Sequence, residues 1–222
     1  MKIKKLIATI VLCYAIVPAT AQKTFSEGRI IFSIEYPEAE IPDQHLAMLP
    51  TEMVMYVKKD KSRMEMSMGM GMSTVVIIDN KARTSTTLMD IMGNKMATRV
   101  TEEEVLKEYQ NQKPIKVQHT DETREIAGYQ CKKAIIIDSA GEESELFYCD
   151  QIRLDGGNWS HPHYKDINGL PLKYTTKEGG FKMHITAKKV IEEKVADSKF
   201  VIPSEYKIMT KEEIQRMFGG GQ

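Results

Sequence analysis

Methionine occupies every second position from Met64 to Met72, in the run Arg63-Met-Glu-Met-Ser-Met-Gly-Met-Gly-Met72. A period of two belongs to extended chain and is foreign to a helix, whose faces repeat near 3.6 residues. In one extended strand Met64, Met66, Met68, Met70 and Met72 all leave the same face, while Glu65, Ser67, Gly69 and Gly71 take the other. Ten of the fifteen methionines fall between Met53 and Met96, so the feature is regional and not a local accident. The stretch belongs in a sheet, and its neighbours have to supply the other strands.

They do. Glu27–Tyr36 places Ile30, Phe32, Ile34 and Tyr36 on one face, and Glu52–Lys58 does the same with Met53, Met55 and Val57. Ser73–Ile78 is apolar without alternation, as in a central strand covered on both sides. Arg83–Met92 and Lys95–Val100 continue the series across Gly93-Asn94. Thr101 followed by Glu104 is a capping box and predicts a helix that Pro114 stops. Between the first two strands, residues 39–50 suit a short helix or a lid-like loop. Beyond the helix come Lys116–His119, Thr123–Ile126, a hairpin over 129–149, a polar loop over 151–168 with the lone Trp159, and a second hairpin over 170–190. A short helix is expected over Thr210–Phe218. Many short strands and few helices predict a mainly β, antiparallel domain.

Residues 1–21 have the form of a secretory signal: Lys2, Lys4 and Lys5, an apolar run from Leu6 to Val17, then Ala19-Thr20-Ala21. Cleavage leaves 201 of the 222 residues as one domain over 22–222, and no later stretch is long and apolar enough to span a membrane. A periplasmic or otherwise exported protein is expected. Its 28 basic and 31 acidic side chains offer no excess of positive charge for nucleic acid. Cys131 and Cys149 then remain, an even pair in an oxidising compartment. A hairpin centred on Ala140 pairs residues whose numbers sum to 280, as 131 and 149 do, so the two face each other and a disulfide is expected.

Two groups of motifs resemble a known family. One is Val57-Lys-Lys-Asp60 with Ser62-Arg63-Met64-Glu65-Met66, then Val75-Val-Ile-Ile-Asp79 and Thr87-Leu88-Met89. The other is Ile126-Ala-Gly128-Tyr-Gln-Cys131-Lys-Lys-Ala134, with Glu145–Asp150 and Gly169-Leu170-Pro171-Leu172. With the tail Phe200–Met217 they are similar to uncharacterised secreted proteins related to the LolA/LolB lipoprotein carriers. That resemblance implies a curved antiparallel sheet forming an incomplete, half-open β-barrel with short covering helices, whose concave face holds acyl chains.

The methionine face has three readings: a packed core strand, the adaptable lining of a cavity for an apolar ligand, or a thioether site for copper(I). The candidate ligand-binding set is Met53, Met55, Met64, Met66, Met68, Met70, Met72, Met89 and Met92. His161 and His163 flank Pro162 without a further ligand at zinc spacing, so a solvated loop is expected there and no metal. No nucleophile elbow, zinc-protease motif or phosphate loop is present. The expected function is non-enzymatic and needs no cofactor: a carrier for an apolar small molecule, lipid or lipoprotein acyl chain, with an envelope protein as a further partner. The alternatives are a methionine-based copper(I) protein and an interaction module with a filled core.

Overall fold

Alternation becomes strand almost wherever it occurs. The computed structural model describes residues 25–37, 46–110, 115–161, 164–178 and 181–219, so the signal segment and most of the 39–50 loop lie outside it. The strands are β1 (Glu27–Glu35), β2 (Glu52–Lys58), β3 (Lys61–Met68), β4 (Met72–Asp79), β5 (Thr84–Ile91), β6 (Asn94–Thr101), β7 (Lys116–Ile126), β8 (Tyr129–Ile137), β9 (Glu143–Cys149), β10 (Leu170–Glu178), β11 (Phe181–Glu192) and β12 (Lys207–Ile208). Two short helices join them among the described residues, α1 (Glu102–Gln110) and α2 (Lys211–Gly219). The capping box forms as expected: the Thr101 amide donates to Glu104 Oε2 at 2.7 Å, and the Glu104 amide donates to Thr101 Oγ1 at 3.4 Å.

All twelve strands lie in one sheet, in the order β12-β6-β5-β4-β3-β2-β1-β11-β10-β9-β8-β7. Ten of its ladders are antiparallel and the β12–β6 ladder is parallel, so the sheet is mixed. The half-open barrel is therefore not the fold: the sheet is neither closed nor curled. Its two end strands explain why. β12 is two residues long, and β7 is exposed from Gln118 to Glu125 with a register shift between His119 and Thr123. A short strand and a polar, bulged strand give no partner to pair with and no apolar face to bury by closing.

The alternating methionine run is not one strand either. Gly69-Met70-Gly71 makes a tight turn, with φ of 61° at Met70 and 70° at Gly71, and β3 folds back on β4 with Met68 opposite Met72. A period-two pattern reads the same through a hairpin as along a strand, because facing residues share a face. The turn therefore keeps Met64, Met66, Met68 and Met72 together and ejects Met70.

β4 is central and covered on both sides, as its unbroken apolar run requires. Val75 and Ile77 lie under Phe200, Ile202 and Tyr206 of the tail. Val76 and Ile78 meet Val105 and Tyr109 of α1 and the buried Trp159. The Trp159 indole N–H donates to Asn80 Oδ1 at 2.7 Å, pinning the 151–168 loop to the end of β4. Ile30, Phe32, Met53, Met55, Ile185 and Leu172 belong to the largest core.

The tail is strapped on by charge. Glu65 accepts from Arg63 Nε at 2.6 Å and from Lys199 Nζ at 3.1 Å, and Arg63 Nη1 donates to the Lys199 carbonyl at 2.9 Å. Burial alone raises the pKa of Glu65, but the hydrogen bonds and charges of Arg63 and Lys199 outweigh it and hold the carboxyl below its ordinary 4.5. A lowered folded-state pKa means this stabilisation is complete above about pH 4.5 and is lost as pH falls through the lower, folded value. In urea unfolding, Glu65→Gln is expected to lower stability by about 1–2 kcal/mol at neutral pH. It should also flatten the acid limb of the stability curve. Parallel curves for the two proteins would refute the strap.

Candidate functional site

Cross-strand register turns the scattered methionines into one band. Met53 faces Met66 and Met55 faces Met64 across β2–β3. Met66 faces Thr74, Thr74 faces Met89, and Met89 faces Met96 on β4, β5 and β6. Facing residues share a face, so the row Met53–Met66–Thr74–Met89–Met96 crosses five strands over about 19 Å. Met68 and Met72 form a second, shorter row beside it.

The band is not uniformly buried. Met53, Met55 and Met96 are 4 %, 5 % and 3 % exposed, whereas Met64, Met66, Met68, Met72 and Met89 are half-buried. Its ends are core, and its middle keeps part of its surface in solvent. Seven of the nine expected residues thus lie together. Met70 and Met92 do not: each sits on a hairpin tip with its side chain 64 % and 68 % exposed, respectively. Met96 belongs to the band although alternation around it is too short to single it out.

Among the described residues no cavity is found against the band. Open grooves there, of about 210, 530 and 510 Å³, are lined respectively by the 153–170 loop, by α1 and residues near it with residues 208–213, and by residues around Arg124, Lys173 and His184. None of the nine methionines lines any of them. With no pocket and no concave barrel surface, the acyl carrier is overturned. The copper(I) reading falls as well. No group of three or more His, Cys, Asp or Glu among the described residues could hold a metal, and no metal site supports it.

The cysteines meet but do not bond. β8 and β9 pair in the expected register, Lys132 opposite Tyr148 and Ile137 opposite Glu143. Cys131 and Cys149 are nonetheless free thiols, both fully buried, and the expected disulfide is absent. The Cys131 thiol donates to the Tyr129 carbonyl at 3.5 Å. The neighbouring Cys149 sulfur and burial push the Cys131 pKa up. The Cys131 thiol and the Gln151 and Ile152 amides beside the Cys149 sulfur draw its pKa down against the opposing effect of burial. Facing positions supply proximity but do not by themselves supply the sulfur geometry of a disulfide. Of the histidine pair, His161 stacks at a tilt on Tyr164, 6.2 Å between centroids, and His163 lies outside the described residues. A histidine that sequence did not single out, His119, shares a 3.2 Å hydrogen bond with the Tyr148 hydroxyl.

The fold and the band define an open, mainly β sheet domain with a half-buried methionine face. A family model for a domain of unknown function, DUF4412, matches residues 44–161, and the chain belongs to that family. The match spans β2 to β9 and so includes the whole band. Among solved structures, an uncharacterised conserved protein from Thermus thermophilus is similar at 8 % identity and a TM-score of 0.48, over 84 % of this chain and 91 % of that one. A β-barrel-like protein of the domain of unknown function DUF1849, from Brucella abortus, is similar at 10 % identity and a TM-score of 0.32, over 76 % and 98 %. Neither likeness is close enough to carry an argument. No curated protein matches the chain, and none of these comparisons shows a link to the LolA/LolB carriers.

The two zones of the band should respond differently to truncation. Met55→Ala is expected to cost about 2–4 kcal/mol in urea unfolding, as a cavity in the main core does. Met68→Gln should cost about 1 kcal/mol or less, since its side chain already meets water. Equal losses would mean the middle of the band is core.

Proposed function

We propose that this chain is a non-catalytic interaction module, acting after export, whose methionine band receives an apolar segment of a partner protein. The observation that carries this is the band's half-buried middle, Met64, Met66, Met68, Met72 and Met89. Met64 and Met66 pack against the main core without being sealed by it, and Met68, Met72 and Met89 likewise keep surface in solvent. Thioether side chains are unbranched and polarizable, so they repack around varied apolar shapes. Completing the burial of five partly exposed methionines supplies roughly 2–4 kcal/mol before ordering costs, which suits reversible association. We infer a distant kinship with LolA/LolB-related secreted proteins from the short motifs alone, and it adds nothing to this reading.

Photo-methionine, a photoreactive analogue that replaces Met during growth, tests the proposal in the producing cells. After irradiation, cross-links to one partner protein are expected at Met66, Met68, Met72 and Met89, with Met53, Met55 and Met96 linked only within the chain. Intramolecular links alone at all seven positions would overturn it.

A further inference from the structure

Two neighbouring hairpin tips carry the same chemically costly dipeptide. Met70-Gly71 joins β3 to β4 with φ of 61° and 70°, and Met92-Gly93 joins β5 to β6 with φ of 53° and 88°. Left-handed backbone at both central residues is the turn in which Asn, Asp or Gly is favoured at the first place. Methionine there meets the steric penalty of that conformation and has no side-chain hydrogen bond to offset it. The turn itself does not call for a long apolar group. Ala127-Gly128, between β7 and β8, adopts the same conformation, φ 51° and 84°, with a single methyl.

Both thioethers point outward and are among the most exposed large apolar side chains, at 64 % and 68 %. The tips belong to adjacent hairpins at one end of the sheet, about 10 Å apart. Leu46, 41 % exposed, is two residues from Met48, whose carbonyl accepts the Gly69 amide at 3.1 Å and docks that segment on the first hairpin.

We propose that this end of the sheet is a membrane-docking edge, with Met70, Met92 and Leu46 entering the interface of a zwitterionic bilayer. The tips are convex, and a deformable acyl layer accepts a convex apolar point where a rigid protein surface needs a matching pocket. They carry no aromatic or arginine anchor of the kind that dominates protein interfaces. Charge complementarity selects the lipid. Asp90 Oδ1 accepts the Gly93 amide at 2.8 Å and keeps its charge, while Lys95 is spent on Glu205 at 3.4 Å and lies 5.7 Å from the Tyr206 ring centre, so these groups sum to one negative charge and favour a zwitterionic over an anionic surface. Met70 tops the hairpin whose last pair is Met68 and Met72, so the edge adjoins the band, but its exposed side chains are others and the two proposals are tested by different variants.

Vesicle flotation of the purified secreted chain tests it, with phosphatidylcholine vesicles and with vesicles containing phosphatidylglycerol. Wild type should float with phosphatidylcholine vesicles, and no better with those containing phosphatidylglycerol. Met70→Asn with Met92→Asn suits the turns better, so its Tm should be equal or higher. Its partitioning should nonetheless fall about a hundredfold, tenfold for each apolar side chain withdrawn. Met70→Leu with Met92→Leu should float as wild type does, and Met66→Gln should too. No flotation of wild type, undiminished flotation of the Asn variant, or photo-methionine links from Met70 and Met92 to a protein in place of vesicle binding would each overturn it.

Discussion

The ladder between β1 and β11 holds the molecule together. On one side of it β1 to β6 run as a meander, and on the other β11 back to β7 run as a second, so this single pairing joins strands about 150 residues apart. Its core-facing residues justify the loop closure. Ile34 faces Ile185, Phe32 faces Ala187 and Ile30 faces Val190, with the register shift between Ile31 and Phe32 taken up in β11. Ile30 and Phe32 are almost wholly buried and sit in the largest core with Met53, Met55 and Leu172. Without that seam each meander would expose one long apolar edge.

The two meanders differ in what they do with their faces. In the β7–β11 half, Leu146 and Tyr148 pack with Ala134 and Ile136, while on the other side Arg124 lies 4.6 Å from the centre of the buried Phe147 ring. In the β2–β6 half, one face is closed by the charged tail strap and the other carries the methionine band. The band's ends are anchored in core, and its middle is left partly open. That contrast, stiff seam and adaptable face, is what makes an interaction module the reading with the most support.

Much of this was legible from local pattern. Strand alternation placed β2 at its observed limits, the capping box placed α1, and the uninterrupted apolar run of β4 identified a strand buried on both sides. The 280 register of the cysteine hairpin was also correct. What failed was of two kinds. The run from Met64 to Met72 looked like one strand because a hairpin preserves period two, and only the positive φ at Met70 and Gly71 shows the fold-back. The barrel and the disulfide failed because each depends on events beyond local pattern. Closure needs β7 and a twelfth strand to find each other, and a disulfide needs sulfur geometry that facing positions do not guarantee. The band itself was half legible: composition located it, but only the register of five strands shows that Met53, Met66, Met89 and Met96 share a row.

The central claim is that the middle of the band meets solvent while its ends do not. Methyl-labelled methionine NMR with a soluble paramagnetic probe measures this directly, one resonance per side chain. The account predicts strong broadening of Met64, Met66, Met68, Met72 and Met89, and sharp, protected signals for Met53, Met55 and Met96. Protection of all eight methyls alike would make the band an ordinary core and contradict the account.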